Sequence, residues 1–222
     1  MFIFWCILFA VVLFFTIPQK HNYAKKNSPG STYTIESAEE IDTSGDPIQK
    51  VSYLSKPVTI TTKDKYFVLK PVASYKISGI VLATNTRFYD KESEISPIDI
   101  GIGWGKIADP ALDKLIKYKS SNRFLHWHYD KNFPYSFKYL NSHASHSHII
   151  PADENIFNAI KGAKKNEKIT LEGYLVNVKG YLNKNNQHVY SWKSSITRHD
   201  TGWGACEVFY VERTRLGDTF YE

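Results

Sequence analysis

Cysteine is almost missing from this chain of 222 residues: Cys6 and Cys206 are the only two, and the first lies in an apolar N-terminal run. Some 200 positions separate them, so a disulfide between them is implausible and the fold must hold without a staple. Arginine is scarce as well, 5 against 23 lysines, and the lysines are scattered through turns (Lys63, Lys65, Lys164, Lys165, Lys184). Nucleic-acid binders cluster their charge and place Arg on phosphates and base edges. The net charge of +6 therefore reads as a solvated Lys-rich surface, and no nucleic-acid partner is expected. Only 9 Pro and 12 Gly exclude a collagen-like or low-complexity chain. No internal repeat recurs, which argues against solenoids and propellers. No phosphate loop is present either: GIGWG at 101–105 completes no GxGxxG and no Lys-Ser/Thr follows it. Its bland reading is a tight backbone approach beside a buried Trp104. What the chain has is 42% hydrophobic and 15% aromatic residues, enough for one substantial core.

The run MFIFWCILFAVVLFFTI at 1–17 carries no charge, and Thr16 is its only polar side chain. As a helix it would reach roughly 25 Å, slightly short of a bilayer's hydrocarbon core. With no Lys or Arg before it and no small-x-small site after it, it reads as an uncleaved anchor in preference to a signal peptide. Lys20, Lys25 and Lys26 follow the run, and the positive-inside rule would hold them in the cytoplasm. Export by a short N-terminal apolar segment argues the other way. The reading adopted is a single-pass protein of a bacterial inner membrane with a periplasmic domain. Residues 18–50, rich in Ser and Thr and broken by Pro29-Gly30 and Gly45-Asp46-Pro47, read as a polar tether. A β-rich globular domain is expected over 51–215, with 216–222 as a tail.

Within that domain β-rich runs dominate, at 66–69 and 75–82 around Pro71, at 123–129, and at 168–178, 188–196 and 205–213. The last three are expected to form an antiparallel meander. Two helices are expected. One follows Asp109-Pro110, with Leu112, Leu115 and Ile116 as its stripe. The other follows Pro151, with Asp153 and Glu154 at its start, Ile156, Ala159, Ile160 and Ala163 inward, and Lys161 and Gly162 at its end. The predicted class is α+β: predominantly antiparallel β, a meander or small partly open barrel, with two short helices after one transmembrane helix.

The blocks SPIDIGIGWG at 96–105, HIIPA at 148–152, GYLV at 173–176, WKSSITR at 192–198 and DTGWGACE at 200–207 follow one another in order. Over roughly 71–212 the chain resembles a family of bacterial membrane-anchored envelope proteins that has no established activity. The resemblance implies an N-terminal apolar segment before one domain, and no reaction. The family pattern carries a histidine where His148 stands, and His143 and His146 depart from it.

Three constellations carry chemistry. His143, His146 and His148, with His126 and His128 upstream, offer imidazoles at strand spacing that a Zn²⁺ or Cu²⁺ ion would accept. No carboxylate or thiolate stands at ligand spacing beside them, so a surface loop is the plainer account and no cofactor is expected. Cys206 with His148, His199 and Asp200 supplies the residue types of a thiol nucleophile, its base and an orienting group. Alternation instead puts Cys206 on a core face with Val208 and Tyr210. Finally, the turn 197–204 brings Arg198, Asp200, Gly202, Trp203 and Gly204 near Ser194 and Ser195. It is either a self-bonded turn or a cradle for an anionic ligand. These residues make a non-enzymatic envelope binding module the leading expectation, its partner an envelope protein or an anionic ligand. A hydrolase or transpeptidase using Cys206 and His148 and a metal-binding protein using His143, His146 and His148 are the alternatives.

Overall fold

The computed structural model of the chain describes residues 21–24, 30–51, 55–197 and 205–222. The anchor expected at 1–17 lies outside them, as do Arg198, His199, Asp200, Gly202, Trp203 and Gly204. Among the described residues no helix is long and apolar enough to cross a membrane.

The elements run β1 (Thr32–Thr34), β2 (Ile48–Lys50), β3 (Val58–Thr61), β4 (Lys65–Thr86), β5 (Ile98–Gly103), β6 (Ile116–Ser121), β7 (Phe124–Tyr129), α1 (Phe137–Ser142), β8 (Ala144–Pro151), α2 (Glu154–Gly162), β9 (Lys168–Leu182), β10 (His188–Trp192), β11 (Glu207–Leu216) and β12 (Thr219–Tyr221). Five strands close on themselves. β4 pairs with β5, β5 with β8, β8 with β11, β11 with β9, and β9 returns to β4. Every one of these pairs is antiparallel except β8–β11. A five-stranded Greek-key barrel with its helix between the third and fourth strands is the connectivity of an OB fold. Closure removes the sheet edges that so many strands would otherwise expose.

Alternation along β5 explains the layering. Ile98, Ile100 and Ile102 point into the barrel, where they meet Ile149, Phe209 and Val211 and the apolar face of α2 (Ile156, Phe157, Ile160). Asp99, Gly101 and Gly103 point outward, yet they too are buried, because other chain segments cover that face. A second apolar cluster, including Ile60, Phe67, Leu69, Val208 and Tyr210, lies outside the barrel under β3 and β10. A third, with Ile80, Leu82, Leu112 and Leu140, packs beneath the β6–β7 hairpin and α1.

Several expectations meet a different outcome. The runs at 66–69 and 75–82 are one strand, β4, and Pro71 sits at a register shift against β9, where a missing N–H is tolerated. The last three strands do not form a meander: β10 and β11 pair with successive stretches of one edge of β9 while β4 takes the other, and β11 also runs parallel to β8. The reason is burial. β11 is apolar on both faces, Phe209 and Val211 inward and Val208 and Tyr210 outward, so it occupies a position covered on both sides.

The helix expected after Asp109 is a single 3-10 turn, Pro110–Lys114. Asp109 does cap it, accepting from the Ala111 N–H, but Ile116 already begins β6. An α-helix that sequence pattern did not reveal forms instead at α1, capped by Ser136 Oγ on the Tyr139 N–H. The segment expected as tether is stitched to the barrel where it is described. β1 pairs with β12, β2 with β4, Ile41 is buried, and Asp46 accepts from the Trp104 indole N–H at 2.9 Å. Its Ser/Thr-rich composition suits a solvated edge strand as well as a free linker. The expected tail likewise contributes β12, which hairpins onto β11.

The second expected helix forms as read, and its cap is the local feature that holds it. Asp153 is buried and its Oδ1 accepts from the Ile156 N–H at 2.9 Å. Asp153→Ala is expected to lower stability by about 1 kcal/mol in urea unfolding. A loss below a few tenths would mean that packing alone sets the helix start.

Candidate functional site

The outer face of β5 and β8 is covered by the β6–β7 hairpin, and the hairpin's turn explains why. Ser121 pairs with Phe124, leaving Asn122 and Arg123 as a two-residue turn with φ of 51° and 62°. Both residues are left-handed, as a type I′ hairpin turn requires. Asn tolerates this; for Arg it costs about 1–2 kcal/mol. The guanidinium offsets that strain. Its Nε and Nη2 donate to the two oxygens of Asp90 at 3.1 and 2.5 Å, and Nη2 also donates to the Ser96 carbonyl at 3.1 Å. Nη1 donates to Asp99 Oδ1 at 2.8 Å and to Ser96 Oγ at 3.4 Å. All five donors of the fork are engaged. Gly101 lets the hairpin lie flat: a Cβ there would stand 2.8 Å from Leu125 Cδ1.

Asp99 is fully buried. Its Oδ1 also takes the His148 Nδ1–H at 2.9 Å, the two residues being cross-strand partners. Burial opposes ionisation of Asp99, but the His148 hydrogen bond and the Arg123 charge outweigh it and hold the carboxyl below its ordinary range. Asp99 Oδ2 is buried with no hydrogen-bond partner among the described residues. Trp192 closes the site from β10, its ring 4.9 Å from His148 and beneath the Arg123 guanidinium at 5.6 Å.

His146 lies two residues along β8, so it shares the outward face with His148. Its Nε2 meets Ser120 Oγ at 3.2 Å, and its Nδ1 meets Cys206 Sγ at 3.5 Å. Burial, joined by repulsion from His148, lowers the His146 pKa to about 3, so the ring stays neutral at physiological pH. Cys206 is half-buried just ahead of β11. One ligand atom from each of His146, His148 and Cys206 lies within 4.8 Å of the others.

A cavity of about 230 Å³ adjoins this cluster. Phe124, Leu125, Trp127 and Phe137 line it on the hairpin and α1 side, and His146 and Cys206 on the barrel side. Glu207 lines it too, its Oε2 accepting from Ser145 Oγ at 2.9 Å.

Of the residues expected from sequence, His146, His148 and Cys206 converge. His143 does not: it precedes β8 and stacks on Tyr139 with ring centroids 3.8 Å apart. Cys206 stands at a cavity wall, not among the core residues that Val208 and Tyr210 join. Ser194 Oγ accepts from the Val208 N–H and donates to the Ser195 carbonyl, while Ser195 Oγ bonds Thr197 backbone. These hydroxyls secure the chain's entry to β11 and do not line the cavity. Thr197 and Ala205, the described residues on either side of 198–204, do line it. Gly101 and Gly103 fit the close-approach reading, since Cβ atoms there would strike Leu125 and Ile107. Asp99 and Arg123 were missed. The signal for Asp99 was available, a lone acid in an otherwise apolar IDIGIG strand; nothing local marks Arg123.

Comparison with family models, with curated proteins and with solved structures finds no significant match.

Proposed function

We propose that this domain binds a transition-metal ion, Zn²⁺ by its donor set, through His146, His148 and Cys206. The carrying observation is the convergence of two imidazoles and a thiol whose ligand atoms lie within 4.8 Å of one another. In a tetrahedral site with bonds of about 2.1 Å to N and 2.3 Å to S, the N and S atoms stand about 3.6 Å apart. Cys206 Sγ and His146 Nδ1 stand close to that separation, at 3.5 Å. His148 supports the reading from behind. Its Nδ1 is engaged by Asp99, which leaves Nε2 for a metal, and a carboxylate behind a ligand histidine is the usual means of fixing tautomer and ring orientation. Thiolate with imidazole favours zinc or copper over the hard oxygen-seeking cations. Three ligands among the described residues leave a fourth position for a further donor, water or another molecule. The outward face of the second and third barrel strands is also where OB barrels carry ligands, an argument from fold analogy alone. With the segment at 1–17 as anchor, the protein becomes a metal-binding module of the bacterial envelope, facing the periplasm.

Cobalt substitution tests this reading. The full chain, stripped of metal and titrated with Co²⁺, is expected to develop a strong near-ultraviolet thiolate-to-cobalt band that saturates at one equivalent and is erased by Zn²⁺. Cys206→Ser should abolish the band, and Asp99→Asn should weaken affinity about 10–100-fold. No band in the wild type, or an undiminished one in Cys206→Ser, overturns the assignment.

The Cys206–His146 contact favours one second reading, a thiol nucleophile with its neighbouring base. A thiolate–imidazolium pair needs a protonated ring, which buried His146 resists. Rapid alkylation of Cys206 by iodoacetamide, undiminished by Zn²⁺, would favour this alternative.

A further inference from the structure

The cavity beside the cluster has a composition that the three ligands alone do not explain. Its volume, about 230 Å³, exceeds the roughly 150 Å³ that holds a benzene molecule in an apolar protein cavity. One wall is aromatic and aliphatic: Phe124, Leu125, Trp127 and Phe137. The opposite wall carries His146 and Cys206, two of the three proposed metal ligands, together with the Glu207 carboxylate. His148 does not line the cavity, and it is buried behind Trp192. An ion held by the three residues therefore has its protected side toward His148 and lies beside the cavity through His146 and Cys206. A purely structural metal site has four protein ligands and a closed surround, whereas among the described residues this one has three ligands and a cavity on one side.

We propose that the cavity takes a small molecule with two parts: a single aromatic ring, or an apolar group of that size, against the Phe124–Phe137 wall, and a head that chelates or ligates the metal. Glu207 gives the head an acceptor for an N–H or O–H. One ring and a head of a few atoms fill the space. Convergence of an apolar wall with a few polar groups on one small cavity is the general pattern of small-molecule sites. The inference rests on the metal reading above, and the experiment separates the failure of one from the failure of the other.

The probes are acetohydroxamate and benzohydroxamate, which share a zinc-chelating head and differ in a ring, titrated calorimetrically into the full chain loaded with one equivalent of Zn²⁺. Benzohydroxamate is expected to bind at least tenfold tighter than acetohydroxamate, the least that burying a Phe-sized ring contributes. Phe137→Ala removes an exposed part of the wall at the start of α1 and should lower benzohydroxamate affinity severalfold, leaving acetohydroxamate and Zn²⁺ affinity unchanged. Ala144→Leu, which places extra bulk on the cavity wall, should act in the same direction. Equal affinity for the two hydroxamates on the zinc-loaded protein overturns the cavity proposal and leaves the metal site standing. Benzohydroxamate affinity that does not depend on zinc also overturns it, because the head would then not be on the ion. Failure to load zinc at all overturns the metal reading on which it rests.

Discussion

Arg123→Met is expected to destabilise the domain by about 3–5 kcal/mol, the cost of leaving a buried carboxylate without its partner. The guanidinium bridges Asp90, Asp99 and Ser96, and Asp99 is wholly removed from water. Met replaces the aliphatic stem but none of the five donors. The double variant Arg123→Met with Asp99→Asn should lose less than the sum of the single changes, because the uncompensated charge is gone. Acid adds a sign to the prediction. Burial tends to raise the Asp90 pKa, but hydrogen bonds and charge from Arg123, with help from Arg87 and the Ser93 N–H, lower it below its ordinary value. A carboxyl whose folded pKa is depressed stabilises the fold above its unfolded pKa, about 3.9, and that contribution is lost as pH falls through the folded value. Urea unfolding at pH 7 and at pH 3 should therefore show the gap between wild type and Arg123→Met narrowing in acid. A gap below 1 kcal/mol at pH 7 would mean that the hairpin is held by Leu125 and its apolar neighbours alone.

Gly173→Ala is expected to be the most damaging single methyl in the barrel, with a loss exceeding about 3 kcal/mol. A Cβ on Gly173 would fall on the Tyr210 carbonyl oxygen, with the Glu212 backbone nitrogen 3.2 Å away. Both neighbours are backbone, so no rotamer change relieves the clash. The position matters because β9 meets β11 there, close to the register shift between Val211 and Arg213, and that pairing closes the barrel. Gly162→Ala is the matched control: nothing lies within 4 Å of its added methyl. Removing that glycine from the end of α2 should be neutral or stabilising by up to about 1 kcal/mol. Equal melting temperatures for the two variants would place the β9–β11 contact elsewhere than at Gly173.

Much of the architecture was legible because it is local. The Asp153 cap, the stripe Ile156, Ala159 and Ile160, and the runs at 123–129 and 168–178 are short-range patterns with their own periodicity, and each forms near where it reads. Errors arose where local pattern and long-range pairing disagree. Pro71 punctuates the sequence but only bends a strand, because β4 bulges against β9 there. Leu112, Leu115 and Ile116 sit at helical spacing, yet the hairpin that begins at Ile116 takes the chain over after one 3-10 turn. The polar stretch 30–50 shows no period, but an edge strand with one face in water needs none.

The chain's own order of residues determined the inventory of the site: one cysteine among the described residues, histidines at i and i+2 on a strand, and an acid alone in an apolar run. Strand alternation even put His146 and His148 on one face. Tertiary structure alone decided which of these residues meet. Cys206 reaches His146 across 60 positions because β8 and β11 are parallel neighbours, and Asp99 orients His148 across 49 because β5 and β8 pair in that register. Arg123 enters from a left-handed turn that lies flat only over Gly101. Composition and spacing act within a turn or a strand, whereas a binding site is made by closure of the barrel, and closure is a property of pairings between distant segments that no local pattern encodes.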